Sequence, residues 1–276
     1  MSKTAIVTDS TADIPRELVI KFQIHIVPNI VVIDGQELED GKDLSRREFY
    51  ENLPLMKMHP TTSTASPGVC QQLYEKLLQG EVNQIVSIHA SSKLSGIFNA
   101  ASVGAQAFGD RVRVIDSENL SLGLGFQVLA AADAALTGPL DSILSVIENV
   151  RVRARLVAML DTLEYVRRSG RVSWARARIG ALLRIKPFLE IKNGYVLSLG
   201  ETRTRKKGIQ GLRKMLYDLG PLEHLAILHS NAEADAQTLL LEMAPQVSTE
   251  PLLVYVTTVI GTHVGPNGLG FVAVVK

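Results

Sequence analysis

The chain is poor in several things, and each shortage excludes a class of protein. Among its 276 residues there is one cysteine, Cys70, so no intrachain disulfide can form and zinc-finger spacings are impossible. Aromatic residues make up 5% of the chain, and no aromatic-rich strand is present on which bases could stack. No uninterrupted apolar run reaches the length that crosses a bilayer, and the stretch Thr4 to Asp9 after Met1-Ser2-Lys3 is too short for a secretory leader. The expectation is a soluble, cytoplasmic protein with no membrane span. Walker loops, His-Glu-x-x-His pairs and Gly-x-Ser-x-Gly elbows are absent. Leu122-Gly123-Leu124-Gly125-Phe126 approaches a dinucleotide fingerprint and fails, because Val128 stands where the third glycine belongs. Its small residues suit close packing of a helix or of an apolar ligand tail.

What is present is a chain with a real core, at 46% hydrophobic residues. Short apolar runs at 3–8, 84–89, 111–115 and 155–160 alternate with helical spacing at 15–22, 69–78, 97–108, 120–136 and 140–150. Residues 24–33 read as further extended sequence. This alternation predicts a parallel sheet with crossover helices, whose ligands lie beyond the carboxyl ends of the strands, near Asp9-Ser10, Ala90-Ser91 and Asp116-Ser117. After about residue 160 the pattern changes. Asn193-Gly194 between two apolar runs predicts a hairpin, followed by a basic helix at 204–219, strands at 225–229, 252–257 and 271–275, and a helix at 233–243. The fold expected is α/β, with an N-terminal parallel-sheet domain over 1–155 and a mixed α/β C-terminal domain over 156–276.

Two hydroxyl-rich segments precede helices, Pro60-Thr61-Thr62-Ser63-Thr64-Ala65-Ser66-Pro67-Gly68 and Ser91-Ser92-Lys93-Leu94-Ser95-Gly96. Ser66 with Pro67 is a helix cap followed by proline at the first helical position. Four consecutive hydroxyls before it exceed what a cap needs. Two helix starts brought together offer free N–H groups and a positive dipole end, which suits a carboxylate or phosphate. Thr62, Ser63, Ser95 and Gly96 are therefore candidate anion contacts, the glycine allowing close backbone approach. His263 lies in Gly261-Thr262-His263-Val264-Gly265-Pro266-Asn267-Gly268, and reads as a loop histidine facing a cleft; the other five histidines have no comparable context.

The net charge of +1 hides a segregation. Residues 151–186 carry ten Lys/Arg against Asp161 and Glu164, and residues 203–214 carry six against none, a net +14 over 48 positions. The other 228 positions carry 13 basic and 26 acidic residues. Such a distribution suggests a basic face for an acidic protein or a phosphate, or solvated helix faces at Arg151, Arg153 and Arg176. Arg167-Arg168-Ser169-Gly170-Arg171-Val172-Ser173 reads as a helix stop with more arginine than a stop requires.

In this order, Thr8-Asp9-Ser10-Thr11-Ala12-Asp13-Ile14-Pro15, Thr62-Ser63 with Ser66-Pro67-Gly68, Ser92-Lys93-Leu94-Ser95-Gly96, Asp116-Ser117, Leu160 to Tyr165, Gly170 to Ser173, Lys186-Pro187 and His263 with Gly265-Pro266 make a specific set. It resembles the DegV family of bacterial fatty-acid-binding proteins, nearly end to end. The resemblance implies a two-domain carrier, not an enzyme, that buries a long-chain fatty acid between its domains and presents it to a fatty acid kinase for phosphorylation to an acyl-phosphate. It implies Thr62, Ser63, Ser95, Gly96 and His263 at the carboxylate, and Arg171 and Arg205 toward the kinase or the phosphate. Ile24, Leu122, Gly125 and Phe126 would line the tail. The fatty acid is the only ligand implied, with no cofactor, no metal and no nucleic acid. The chain departs from the family pattern at Thr64-Ala65, at Ile97 and at Asn267, where the family favours glutamine or a similar residue with proline, threonine, and glycine. Two alternatives compete: a serine hydrolase or acyltransferase with Ser95 as nucleophile and His263 as base, and a regulatory protein that binds nucleic acid on its basic face.

Overall fold

The structure is a computed structural model that describes residues 3–172 and 185–276; Ser173 and Arg176 lie outside the described residues. In chain order the first unit opens with β1 (Thr4–Asp9), α1 (Arg16–Lys21) and β2 (His25–Val27). The chain leaves this unit after Asn29 and forms β3 (Ile30–Ile33), β4 (Gln36–Glu39), α2 (Arg46–Asn52) and β5 (Thr61–Ser63) in the second. It returns for α3 (Pro67–Leu78), β6 (Gln84–His89), α4 (Ile97–Ala105), β7 (Val112–Asp116), α5 (Leu122–Ala134) and α6 (Leu140–Arg153). The second unit then continues with β8 (Ala154–Met159), α7 (Glu164–Ser169), β9 (Lys186–Lys192), β10 (Tyr195–Thr202), α8 (Arg205–Tyr217), β11 (Leu222–Ser230), α9 (Glu233–Met243), β12 (Leu252–Tyr255), α10 (Thr258–Val264) and β13 (Gly268–Val275).

The first unit comprises 1–29 and 63–152 and holds a four-stranded sheet of order β2-β1-β6-β7, parallel throughout. Strands covered on both faces need continuous apolar sequence, and Ala5, Ile6, Val7, Ile85, Val86 and Ile88 are buried accordingly. Ser66 caps α3 by accepting the Val69 N–H at 3.4 Å, with Pro67 at the first turn as expected. Gly125 lets α5 sit against the 3-10 turn after β1: a methyl group there would come within 2.6 Å of the Ala12 carbonyl oxygen.

The second unit, 30–62 with 153–276, holds a six-stranded sheet of order β10-β9-β8-β13-β11-β12 and a small sheet of order β4-β3-β5. Only β11 and β12 pair in parallel in the larger sheet; its other pairs are antiparallel. Met159, Phe188, Leu212, Leu216, Ile227 and Phe271 belong to its core. The predicted hairpin forms, with Asn193 at φ 50° and Gly194 at φ 80° in the two-residue turn joining β9 to β10.

The α/β class with a parallel N-terminal sheet and a mixed C-terminal sheet is what the sequence led us to expect. The single boundary near residue 155 differs from the observed partition, because residues 30–62 pack with the second unit. Tyr50 explains much of this: its hydroxyl donates to the carbonyls of Val256 and Thr257 at 3.3 and 3.2 Å, and its ring stacks on Tyr255 at 5.1 Å. Asp40 Oδ1 accepts the Thr258 N–H at 3.2 Å and the Thr258 hydroxyl at 2.7 Å.

Candidate functional site

Strand β5 carries Thr61, Thr62 and Ser63 to the end of the segment that packs with the second unit. There the Thr62 hydroxyl meets His263 Nε2 at 2.9 Å. His263 occupies the last turn of α10, so the sequence reading of a loop histidine is corrected. The Gly-rich stretch 261–270 in fact ends a helix, bends at Gly265 with φ 76°, and starts β13. Glycine at 265 also makes room for Tyr165, whose ring would overlap any side chain there.

His263 keeps partial exposure, but its Nδ1 is covered and has no hydrogen-bond partner among the described residues. Burial drives the imidazole pKa down to about 3, and the nearby charges of Arg171 and His59 push in the same direction. At neutral pH the ring is therefore uncharged. With no partner for a proton on Nδ1, the favourable tautomer carries it on Nε2 and donates to Thr62 Oγ1. The threonine O–H is then free to donate to an anion.

His59 was assigned no role in the sequence, yet it stands beside this pair. Its ring tilts against Tyr165 at 5.7 Å, its Nε2 is covered and without a partner among the described residues, and burial with the charge of Arg168 lowers its pKa. Pro60 follows it in sequence, and no local pattern marks it. Arg171 is exposed, and its guanidinium donates to the Ser169 carbonyl at 2.7 Å. Gly170, at φ 72°, stops α7 as expected. Arg167 and Arg168 both pair with Glu164, at 3.2 and 2.7 Å. Burial alone would raise the Glu164 carboxyl, and the two guanidinium groups outweigh it and hold the group below its usual range.

In the first unit, Ser95 precedes α4 and its Oγ accepts the Ile97 N–H at 3.3 Å, while Gly96 is the capping residue. A methyl group on Gly96 would lie 3.7 Å from Thr64 Oγ1, so the two hydroxyl-rich helix starts adjoin here. Ser63 is exposed and its hydroxyl donates to the Thr64 carbonyl at 3.4 Å. Ile97, where the family pattern has threonine, is fully buried. Ile24, Leu122 and Phe126 are all buried in this unit, and Gly125 faces the Ala12 carbonyl. A serine nucleophile requires its Oγ on the imidazole. His263 Nε2 is bonded instead to Thr62.

Several cations of the basic segments are paired among the described residues. Arg153 pairs with Glu223 at 2.5 Å, Arg213 with Glu242 at 2.8 Å and Lys214 with Asp218 at 2.6 Å; Lys186 is bonded to Asp161. Arg151 pairs with Glu148 at 2.5 Å. Arg205 donates to Asp235 at 2.6 Å and to the Asn267 carbonyl at 2.7 Å. Glu223, Asp235, Glu242, Asp218 and Glu148, outside the basic segments, thus pair with some of their cations. Among the described residues, no group of three or more His, Cys, Asp or Glu is placed to hold a metal ion, and no helix is long and apolar enough to cross a membrane.

Comparison with known proteins gives a consistent result. The family described as "Uncharacterised protein, DegV family" matches residues 3–276. Protein DegV of Bacillus subtilis is 35% identical over 274 residues, spanning 96% of this chain and 97% of its own. A DegV domain-containing protein of Listeria monocytogenes is 34% identical over 282 residues, 99% of either chain. Among solved structures, a fatty-acid-binding DegV-family protein from Thermus thermophilus superposes with a TM-score of 0.92 at 31% identity, over 99% of this chain and 100% of its own. The Bacillus subtilis DegV structure, described as a fatty acid binding protein, gives 0.87 at 34% identity over the whole of both chains. Both of these relatives are described as binding fatty acid. A match along essentially the whole chain, on a fold the solved relatives share, makes this chain a member of the DegV family.

Proposed function

We propose that this protein binds a long-chain fatty acid, holds its carboxylate through hydroxyl groups, and presents it to a fatty acid kinase that phosphorylates it to an acyl-phosphate. The observation that carries the head-group assignment is the Thr62–His263 pair, in which a neutral imidazole leaves the threonine hydroxyl free to donate. Ser63, next along β5, and Ser95 with Gly96 at the start of α4 are the further contacts in this reading. Relatives described as fatty-acid-binding, at 31 and 34% identity over the full chain, support the ligand class.

The energetics favour a lipid over a small polar anion. Each buried methylene gains roughly 0.8 kcal/mol, so a tail of about fifteen gains on the order of 10 kcal/mol before ordering costs. A hydrogen bond to the carboxylate contributes about 1.5 to 3 kcal/mol, which fixes orientation and selects acid over ester. The tail supplies affinity and the hydroxyls supply identity. Ile24, Leu122 and Phe126 are the proposed tail contacts. Leu122 and Phe126 lie one turn apart on α5, and Gly125 between them packs against the Ala12 carbonyl rather than a tail.

Arg171 and Arg205 are proposed to meet the kinase or the transferred phosphate. Arg171 suits this because it is exposed and its charge reaches His263. Arg205 would act as a fixed cation, since Asp235 and the Asn267 carbonyl hold it. Incubating the purified protein with oleate, a fatty acid kinase and ATP tests the presentation step. Acyl-phosphate formation that depends on this protein is the expected result, and kinase turnover indifferent to it would overturn that step.

A further inference from the structure

The core of the first unit contains a hydrogen-bonded array that the proposed function does not use. Asp9 ends β1, and its carboxylate is fully buried. Oδ1 accepts from the Thr11 N–H at 3.1 Å, from the Thr11 hydroxyl and from the Asn29 side-chain amide at 3.0 Å. Oδ2 accepts from the Ala90 N–H at 3.0 Å and from His89 Nδ1 at 3.1 Å. His89 Nε2 lies 2.8 Å from the Ser87 hydroxyl, which lies 2.8 Å from the Tyr74 hydroxyl.

The connectivity Ser87–His89–Asp9 is that of a hydrolase triad. All three residues, with Tyr74, have no exposed surface, so no substrate reaches the serine. With a neutral imidazole the array has one consistent direction. An acceptor-only carboxylate requires Nδ1–H on His89, which leaves Nε2 to accept from Ser87, whose oxygen accepts from Tyr74. Five donors converge on Asp9. Burial alone would raise its carboxyl, and the bonds from His89, Thr11 and Ala90 outweigh that and hold it below the usual carboxylate range.

The donors mark what the array holds. Thr11 belongs to the turn after β1, Asn29 is where the chain leaves the first unit, and Ala90 opens the loop from β6 to α4. The next residue, Ser91, donates its N–H to the Asn119 carbonyl at 2.9 Å and accepts the N–H groups of Leu94 and Ser95, each at 2.9 Å. A path of hydrogen bonds thus runs from Asp9 through Ala90 and Ser91 to the backbone of Ser95.

We propose that Asp9, oriented by the sealed His89–Ser87–Tyr74 chain, is a positioning residue that fixes the β6–α4 loop and so aims Ser95 at the ligand head group. The assignment rests on the proposed function for the role of Ser95, but the clamp itself is testable without ligand. Asp9→Asn cannot satisfy donors on both sides at once. It should present its amide to His89, move the His89 proton from Nδ1 to Nε2 and reverse the chain.

The experiment combines three readings on the full chain. In 15N NMR, unmodified protein should show the His89 proton on Nδ1 and Asp9→Asn should show it on Nε2. In amide hydrogen exchange, Asp9→Asn should expose the Ser91 and Ser95 amides by about tenfold while leaving α6 unchanged. In binding, the preference for oleate over oleyl alcohol should fall by about tenfold in Asp9→Asn, and the substitution should add nothing to Ser95→Ala. Ser87→Ala is the milder variant if Asp9→Asn does not fold: it should leave the His89 proton on Nδ1 and give the same exchange and binding changes at smaller size. Unchanged exchange at Ser95 overturns the clamp. An effect on oleate preference that persists undiminished in Ser95→Ala overturns its route. Absence of oleate binding in unmodified protein would instead strike the proposed function, with the exchange result still deciding the clamp.

Discussion

The imidazole Nε2 of His263 lies 2.9 Å from the hydroxyl of Thr62, a residue 201 positions earlier in the chain. The segment 30–62 packs with the C-terminal half of the chain, and that placement brings the two together. In the proposed site, an imidazole proton on Nε2 leaves the Thr62 hydroxyl proton to point at the carboxylate.

Thr62→Ala removes this donor and should weaken oleate binding about ten- to a hundredfold, the equivalent of one hydrogen bond to a charged group. Thr62→Ser should retain most of the affinity. Isothermal titration with both variants checks this, and an unchanged Kd for the alanine variant would remove Thr62 from the head-group site.

The depressed pKa of His263 links stability to pH. The unfolded histidine takes up a proton near pH 6.5 and the folded one only near pH 3, so between these values the unfolded state holds more protons. Stability should therefore fall as pH drops from 6.5 towards 3, this group contributing up to about 1.4 kcal/mol per pH unit. Urea titrations of unmodified protein and of His263→Gln across this window should show a shallower loss in the variant. Parallel curves would mean that His263 is solvated and titrates normally.

Gly125→Ala separates packing from ligand contact. The added methyl would meet the Ala12 carbonyl oxygen at 2.6 Å, a clash with backbone that should cost about 1 to 3 kcal/mol and lower Tm. A tail-lining glycine with space beside it would instead change chain-length preference at constant Tm. Thermal melts and a competition among fatty acids of different length distinguish the outcomes.

Arg171→Glu should impair transfer to a fatty acid kinase while leaving oleate binding close to normal, because the side chain is exposed and its guanidinium donates to the Ser169 carbonyl. It should also raise the His263 pKa, since one of the charges that depress it changes sign. Equal loss of transfer and of binding would make Arg171 part of the lipid site itself.

The elements that were legible in the sequence are those specified locally. Ser66-Pro67 announces the start of α3, Asn193-Gly194 supplies the two positive φ angles of its hairpin, and 84–89 is apolar enough to be a buried strand. The discontinuous second unit was not legible. Residues 24–33 form one apolar stretch in sequence, yet it divides at Pro28-Asn29 into β2 and β3, which belong to different units. What ties β3 to its unit is distant: Tyr50 and Asp40 find partners beyond residue 254. Asp9 and His89 were invisible as a pair for the same reason, being 80 residues apart with their bond made across adjacent parallel strands. Part of the charge segregation is offset by ion pairs such as Arg153–Glu223 and Arg213–Glu242, which join the basic segments to acids far off in sequence.

The central claim is that the protein carries a fatty acid, and native mass spectrometry of the purified chain, followed by denaturation and lipid extraction, tests it most directly. The account predicts a bound mass of a few hundred daltons, on the order of one lipid chain, that resolves into fatty acids and exchanges for added oleate. A protein that is empty as purified and takes up neither oleate nor palmitate would contradict it.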